Sequence, residues 1–160
     1  MTEQAPDHVS GGHRDVIIVG AGLSGVGAAY RLQTECAGKT YAILESREAI
    51  GGTWDLFRYP GIRSDSDMYT LSWPFRPWKN PKSIADGDDI RTYIREAADE
   101  FGIEKNIQFG HRVVSAAWST DDARWTVTSQ VGDTTVTQTA SFLYLCSGYY
   151  NYDKGYQPDF

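Results

Sequence analysis

The chain has 160 residues, 41% of them apolar and 22% charged, with a net charge of -6. This is enough for one globular domain with its own core. An acidic balance without a Lys/Arg cluster argues against nucleic acid or an anionic membrane as partner. No apolar run approaches the length that spans a bilayer. The opening MTEQAPDHVSGGHR has no apolar stretch of the kind a secretory signal needs, so residues 1–14 read as a flexible tail, with a cytoplasmic location as the default.

The first predicted elements fall in Asp15 to Glu45. An apolar strand, Val16 to Val19, runs into Gly20-Ala21-Gly22-Leu23-Ser24-Gly25; a helical pattern follows, then a second apolar run ending at Glu45. Strand, glycine turn, helix, strand and acid at this spacing form the βαβ unit that holds the ADP half of a dinucleotide. Gly20 allows the sharp turn, Gly22 lets the backbone approach a pyrophosphate, and Gly25, with the small Ala29, lets the helix lie close to the strand. The helix start aims free N–H groups at the phosphates, where Ser24 adds a hydroxyl. Glu45 stands about twenty residues past Gly25, where a carboxylate can accept ribose hydroxyls.

A glycine pair, Gly51-Gly52, follows the acid within a few residues. It is either a plain tight turn or a second approach to the pyrophosphate, as an FAD site requires. Asp55 to Tyr69 has no helical or strand period, and Pro60-Gly61 marks a turn. Loops this rich in Arg, Asp and aromatic residues often line ligand sites. Here Arg63 and Asp65 either pair with each other or face a cofactor, and Trp54 offers a flat wall. Leu71 to Trp78 (LSWPFRPW) either walls a pocket or covers the sheet. Ile90, Tyr93, Ile94, Ala97 and Phe101 predict a helix over 86–101, capped by Asp86 or Asp88 and ended by Gly102. Arg112–Trp118, Arg124–Ser129 and Thr134–Thr139 alternate as an antiparallel meander. Phe142 to Cys146 then reads as a central parallel strand, followed by a turn at Tyr149-Tyr150-Asn151-Tyr152. His111 stands alone, so no metal is expected. Cys36 and Cys146 form no C-x-x-C pair and read as reduced, partly buried thiols.

The stretches DVIIVGAGLSGVGAAYRLQ, YAILESREAIGGTWDLFRYPGIRSDSDMYTL, FRPW, IADG and FLYLCSGYYNYDKGY resemble the N-terminal part of the class B flavoprotein monooxygenases of the Baeyer–Villiger type. The resemblance implies FAD and NADPH as cofactors. It also implies oxidation of a ketone, sulfide or thioamide by O₂ through a C4a-peroxyflavin. Carried over by motif, Gly20, Gly22, Ser24 and Gly25 would cradle the ADP phosphates and Glu45 would hold the ribose. Gly52, Thr53, Trp54, Asp55 and Asp65 would approach the flavin side. Arg63 and Asp65 would lie towards the nicotinamide as candidate catalytic residues, and Val113 would give adenine a backbone contact. Members of that family are longer: a second dinucleotide domain for NADPH, an F-x-G-x-x-x-H-x-x-x-W fingerprint and an arginine that stabilises the peroxyflavin are expected beyond Phe160.

The expected fold class is therefore α/β. Residues 15–160 would form the N-terminal part of a Rossmann-like FAD-binding domain, with a parallel sheet and a small antiparallel β-meander insertion, incomplete at the C-terminus. The expected function is that of a flavin-dependent monooxygenase, inactive as this part alone. A non-catalytic FAD-binding module and another two-dinucleotide flavoprotein oxidoreductase remain as alternatives. Gly51-Gly52 and RYPGIRSD disfavour an NAD-dependent dehydrogenase. An unfinished sheet would leave an open edge and uncovered apolar surface.

Overall fold

A computed structural model describes residues 8–150 and 154–160, with side chains from residue 11 onward. The predicted turn at 149–152 thus lies partly outside the described residues, as do residues 1–7 of the predicted tail. The chain forms β1 (His8–Val19), α1 (Leu23–Glu35), β2 (Tyr41–Leu44), α2 (Thr53–Leu56), α3 (Met68–Leu71), α4 (Gly87–Glu100), β3 (Ile107–Gln108), β4 (Arg112–Ser119), β5 (Arg124–Val131) and β6 (Thr134–Leu145). The six strands make one sheet in the order β3-β2-β1-β6-β5-β4. Its core is parallel: Val16–Val19 of β1 pair with Tyr41–Leu44 on one side and Phe142–Leu145 on the other. The outer strands β4, β5 and β6 pair antiparallel.

Strand side chains alternate between faces, and the burial follows that alternation. Val16, Ile18, Tyr41 and Ile43 face α1 and α4 and join the main core with Val26, Ala29, Ile90, Ile94 and Ala97. Ile17 and Leu44 point the other way, into a smaller core with Val127 and Ala140. The predicted helix at 86–101 is α4. Asp86 is its N-cap, its buried stripe holds the predicted Ile90, Tyr93, Ile94 and Ala97, the predicted Phe101 is the half-buried C-cap, and Gly102 ends it at φ +60°. The aromatic segment after α3 covers helices rather than the sheet. Phe75 stacks on Tyr30 of α1 with ring centroids 3.6 Å apart, and Trp73 stacks on Tyr93 of α4 at 5.1 Å. Trp73 fits because its indole lies against Gly27 of α1, where a Cβ would stand 2.6 Å from Nε1.

The structure corrects four expectations. First, β1 begins at His8, so residues 8–10 and 13–14 are paired backbone across a bulge at Gly11-Gly12 and not a tail; their partners lie in Thr135–Ala140 of β6, and the His13 ring bonds Thr139 Oγ1 at 3.0 Å. The polar run hid a strand whose partner comes from far along the chain. Second, the expected meander is present, but its third strand and the central parallel strand are one strand, β6. Ala140-Ser141 contains no Gly, Pro, Asn or Asp to break the strand, and the chain runs straight from pairing with β5 into the parallel core. Third, Asp55 to Tyr69, read as having no helical or strand period, overlaps the single turns α2 and α3 at its two ends. Fourth, Cys36 is exposed, at the C-cap of α1, whereas Cys146 is half-buried. Beyond Ala140, β6 has no partner on its β5 side among the described residues, and Phe142, Tyr144 and Leu145 are exposed.

Candidate functional site

The glycine turn sits where β1 and β6 end side by side. Gly20 adopts φ +103° and donates its N–H to the Leu44 carbonyl at 2.8 Å. A Cβ at Gly20 would stand 2.5 Å from the Cys146 carbonyl oxygen. Gly22 is the N-cap of α1, with no side-chain cap bond and no acidic residue in the first turn. The N–H groups of that turn are therefore left with their positive end uncompensated. Ser24 lies exposed in the same turn. Gly25 is buried, and a Cβ there would fall 1.9 Å from the Gly20 carbonyl oxygen. Gly25 thus lets helix and strand approach; Gly22 faces outward from that contact.

The second glycine pair meets the first turn directly. Gly51 and Gly52 have φ of +135° and +54°, and the Gly51 N–H bonds the Ala21 carbonyl at 3.1 Å. A Cβ on Gly52 would stand 3.0 Å from Gly22 Cα. Two backbones stripped of side chains thus abut at the positive end of α1. A diphosphate needs such a cradle, and any Cβ would narrow it.

Glu45 is buried at the end of β2. Its Oε2 accepts the Ala21 N–H at 2.7 Å, and its Oε1 accepts the Arg47 N–H at 3.0 Å. The expected ribose acid is therefore also a strut of the glycine turn. Its backbone is held by Gln108 of β3 and by the His111 N–H, 2.8 Å from the Glu45 carbonyl. That bond brings β4, with half-buried Val113, beside the end of β2; Val113 packs on the smaller core. Glu45→Ala should leave the Ala21 and Arg47 N–H groups without acceptors and cost about 2 kcal/mol or more even without a ligand. A thermal melt unchanged from that of the parent chain would contradict these bonds.

Thr53 and half-buried Trp54 begin α2 directly after the glycine pair. Trp54 packs on the main core. Asp55 in the same turn is buried, and its carboxylate is taken up by Arg47, Arg58 and Arg91. The sequence carried no signal for these three arginines. Arg63 and Asp65 are both exposed, and no ion pair joins them among the described residues. Between them Ser64 is buried: its N–H bonds the Ala85 carbonyl at 2.9 Å, and its Oγ accepts the Ala85 N–H at 3.1 Å. With Ser64 zipped inward, its two neighbours turn outward, and no hydrogen bond ties either side chain to the glycine loops.

No group of His, Cys, Asp and Glu able to hold a metal occurs among the described residues. Burial pushes the Cys146 thiol up to about 11, so it stands protonated and non-nucleophilic at neutral pH.

The fold and glycine turns are Rossmann-like, and residues 18–85 match the family model of the NAD(P)-binding Rossmann-like domain. The chain is similar, more particularly, to FAD-containing monooxygenases. It is 60% identical over 148 residues to the FAD-containing monooxygenase EthA of Mycobacterium tuberculosis, covering 92% of this chain and 30% of that protein. It is 48% identical over 149 residues to the probable FAD-binding monooxygenase AlmA of Acinetobacter baylyi, covering 92% of this chain and 30% of that protein. Among solved structures, an oxidized steroid monooxygenase bound to NADP superposes with a TM-score of 0.80 at 31% identity, over 92% of this chain and 28% of that one. The OTEMO complex with FAD and NADP gives 0.75 at 28% identity, over 91% and 27%. The chain thus spans about 30% of the length of the curated relatives it matches.

Proposed function

We propose that this chain binds FAD, as the flavin-holding part of a monooxygenase. The observation that carries the reading is the abutment of Gly22 and Gly52 at the start of α1, with Glu45 bonded to the turn between them. A nicotinamide-binding domain needs one glycine turn; a second at this place favours the longer contact that FAD makes along its pyrophosphate.

In this reading Gly20, Gly22, Ser24 and Gly25 present backbone N–H groups and a hydroxyl to the phosphates. Gly52 and Thr53 close the far side, Glu45 accepts from the ribose, and Val113 borders the adenine. Trp54 and Asp65 lie towards the flavin end, and Arg63 with Asp65 towards the nicotinamide. Bound flavin would supply the redox chemistry for oxidising a ketone, sulfide or thioamide with O₂ and NADPH. The chain's own part is to bind and orient. No helix of the described residues is long and apolar enough to cross a membrane, which is compatible with a cytoplasmic location.

The test is a fluorescence titration of the 160-residue chain with FAD, FMN and NADPH in parallel. FAD should bind tightest, because only it combines the ADP half with a flavin. FMN binding as well as FAD would remove the ADP half from the account. NADPH binding in preference to FAD would return the domain to the nicotinamide class.

A further inference from the structure

We propose that Asp55 is a positioning residue: its ion network clamps Gly51-Gly52 against Gly22 and thereby sets cofactor affinity, without Asp55 touching the cofactor. The inference rests on the FAD reading above and deepens it.

The glycine pair cannot hold its own shape. Glycine has the widest backbone freedom of any residue, so a turn at φ +135° and +54° must be fixed from outside. On one side the Gly51 N–H is tied to Ala21. On the other side lies α2, a single turn of four residues, too short to persist unaided. Its amides lean on the pair: Trp54 N–H bonds the Gly51 carbonyl at 3.1 Å, and Leu56 N–H bonds the Gly52 carbonyl at 2.9 Å. Besides the packing of Trp54 on the main core, the Asp55 carboxylate holds α2. Arg47 donates to its Oδ2 and Arg58 to its Oδ1 at 2.5 Å, while Arg91 of α4 stands 3.9 Å from Oδ1. Arg58 Nε also bonds the Asp55 carbonyl at 2.7 Å.

These bonds close a ring. Ala21 bonds Glu45, Glu45 bonds the Arg47 N–H, Arg47 bonds Asp55, and α2 leads back through Gly51 to Ala21. The network also packs on the turn itself: a Cβ at Gly51 would stand 3.0 Å from Asp55 Cβ and 3.3 Å from Arg91 Cγ. The carboxylate side chain is only 7% exposed, and a buried charge of this kind is tolerated because it is paired. Arg47 Nη1 and Arg91 Nε are buried without a hydrogen-bond partner among the described residues. Removing the negative charge would leave three guanidinium groups facing one another, and the ring would open.

Hydrogen exchange read by mass spectrometry, beside FAD titration, tests this in the 160-residue chain. Asp55→Asn keeps the shape and removes the charge. It should speed exchange across 51–57 and weaken FAD binding, each by about 10- to 100-fold, the scale of one charge-assisted hydrogen bond. Exchange in α1 and α4 should stay as in the parent. Arg58→Gln, at the most exposed of the three arginines, should loosen the same segment by less; it decides the matter if the Asp55 variant does not fold. Unchanged exchange with lost affinity would overturn the proposal and mark Asp55 as a direct ligand. Faster exchange with unchanged affinity would overturn it as well. A parent chain that takes up no FAD would sink the functional reading, while exchange across 51–57 would still decide whether the clamp exists.

Discussion

Alanine at position 25 is expected to destabilise the fold by about 3 kcal/mol or more, beyond the ordinary cost of overpacking. The added Cβ would fall 1.9 Å from the Gly20 carbonyl oxygen and 3.0 Å from its carbon. Both are backbone atoms of the strand-to-helix turn, so no side chain can rotate away. Relief requires α1 to lift from β1. That motion would pull on the Gly20–Leu44 bond and on the bond from Ala21 to Glu45. Against a total stability of about 5–15 kcal/mol for an ordinary domain, such a loss is readily measured in a urea titration. Gly38→Ala is the control. Nothing lies within 4 Å of its added Cβ, so only the positive φ of +86° is paid for there, about 1 kcal/mol. A Gly25 variant as stable as the Gly38 variant would contradict the close approach of helix and strand.

Valine at position 22 should have the opposite profile: near-parental stability and loss of FAD. Gly22 has φ -82° and ψ -167°, which any L-residue can adopt, and an added Cβ would make an ordinary 3.5 Å contact with Gly52 Cα. The empty turn therefore accepts a side chain. The two further methyl groups of valine would occupy the space between the glycine loops where the diphosphate is proposed to lie. FAD affinity should fall at least about a hundredfold, about 2.8 kcal/mol, with little change in the melt. Retained FAD binding would displace the diphosphate from this cradle. In the proposed FAD reading, two glycines of one motif would thus separate by role, Gly25 serving the fold and Gly22 the ligand.

Much of this was legible in the sequence, for reasons that can be named. The core of β1, α1, β2 and α4 announce themselves through local periodicity, and Gly102 ends α4 by its own backbone preference. The glycines of the cradle are legible from their spacing; the structure shows that Gly20, Gly25 and Gly52 are demanded by what a Cβ would strike, whereas Gly22 would accept one at 3.5 Å. Asp55 was picked out as a cofactor residue, but its partners could not be read. Arg47, Arg58 and Arg91 come from a loop, a turn and a distant helix, and ion pairs across such distances leave no periodic trace. Arg63 and Asp65 read either as a pair or as facing a cofactor; the structure leaves both exposed with no ion pair between them among the described residues, and the buried Ser64 that separates them gives no hydrophobic signal of burial. The start of β1 was hidden for a similar reason. Its polar residues pair with the polar threonines of β6, and only that long-range register makes a strand of them.

The most direct measurement is the visible absorption spectrum of the purified 160-residue chain after incubation with FAD and desalting. The account predicts a flavin band that stays with the protein, close to one flavin per chain, and that is absent from the Gly22→Val variant. A colourless parent chain whose circular dichroism matches this α/β fold would contradict the central claim that these two glycine turns and Glu45 suffice to hold FAD.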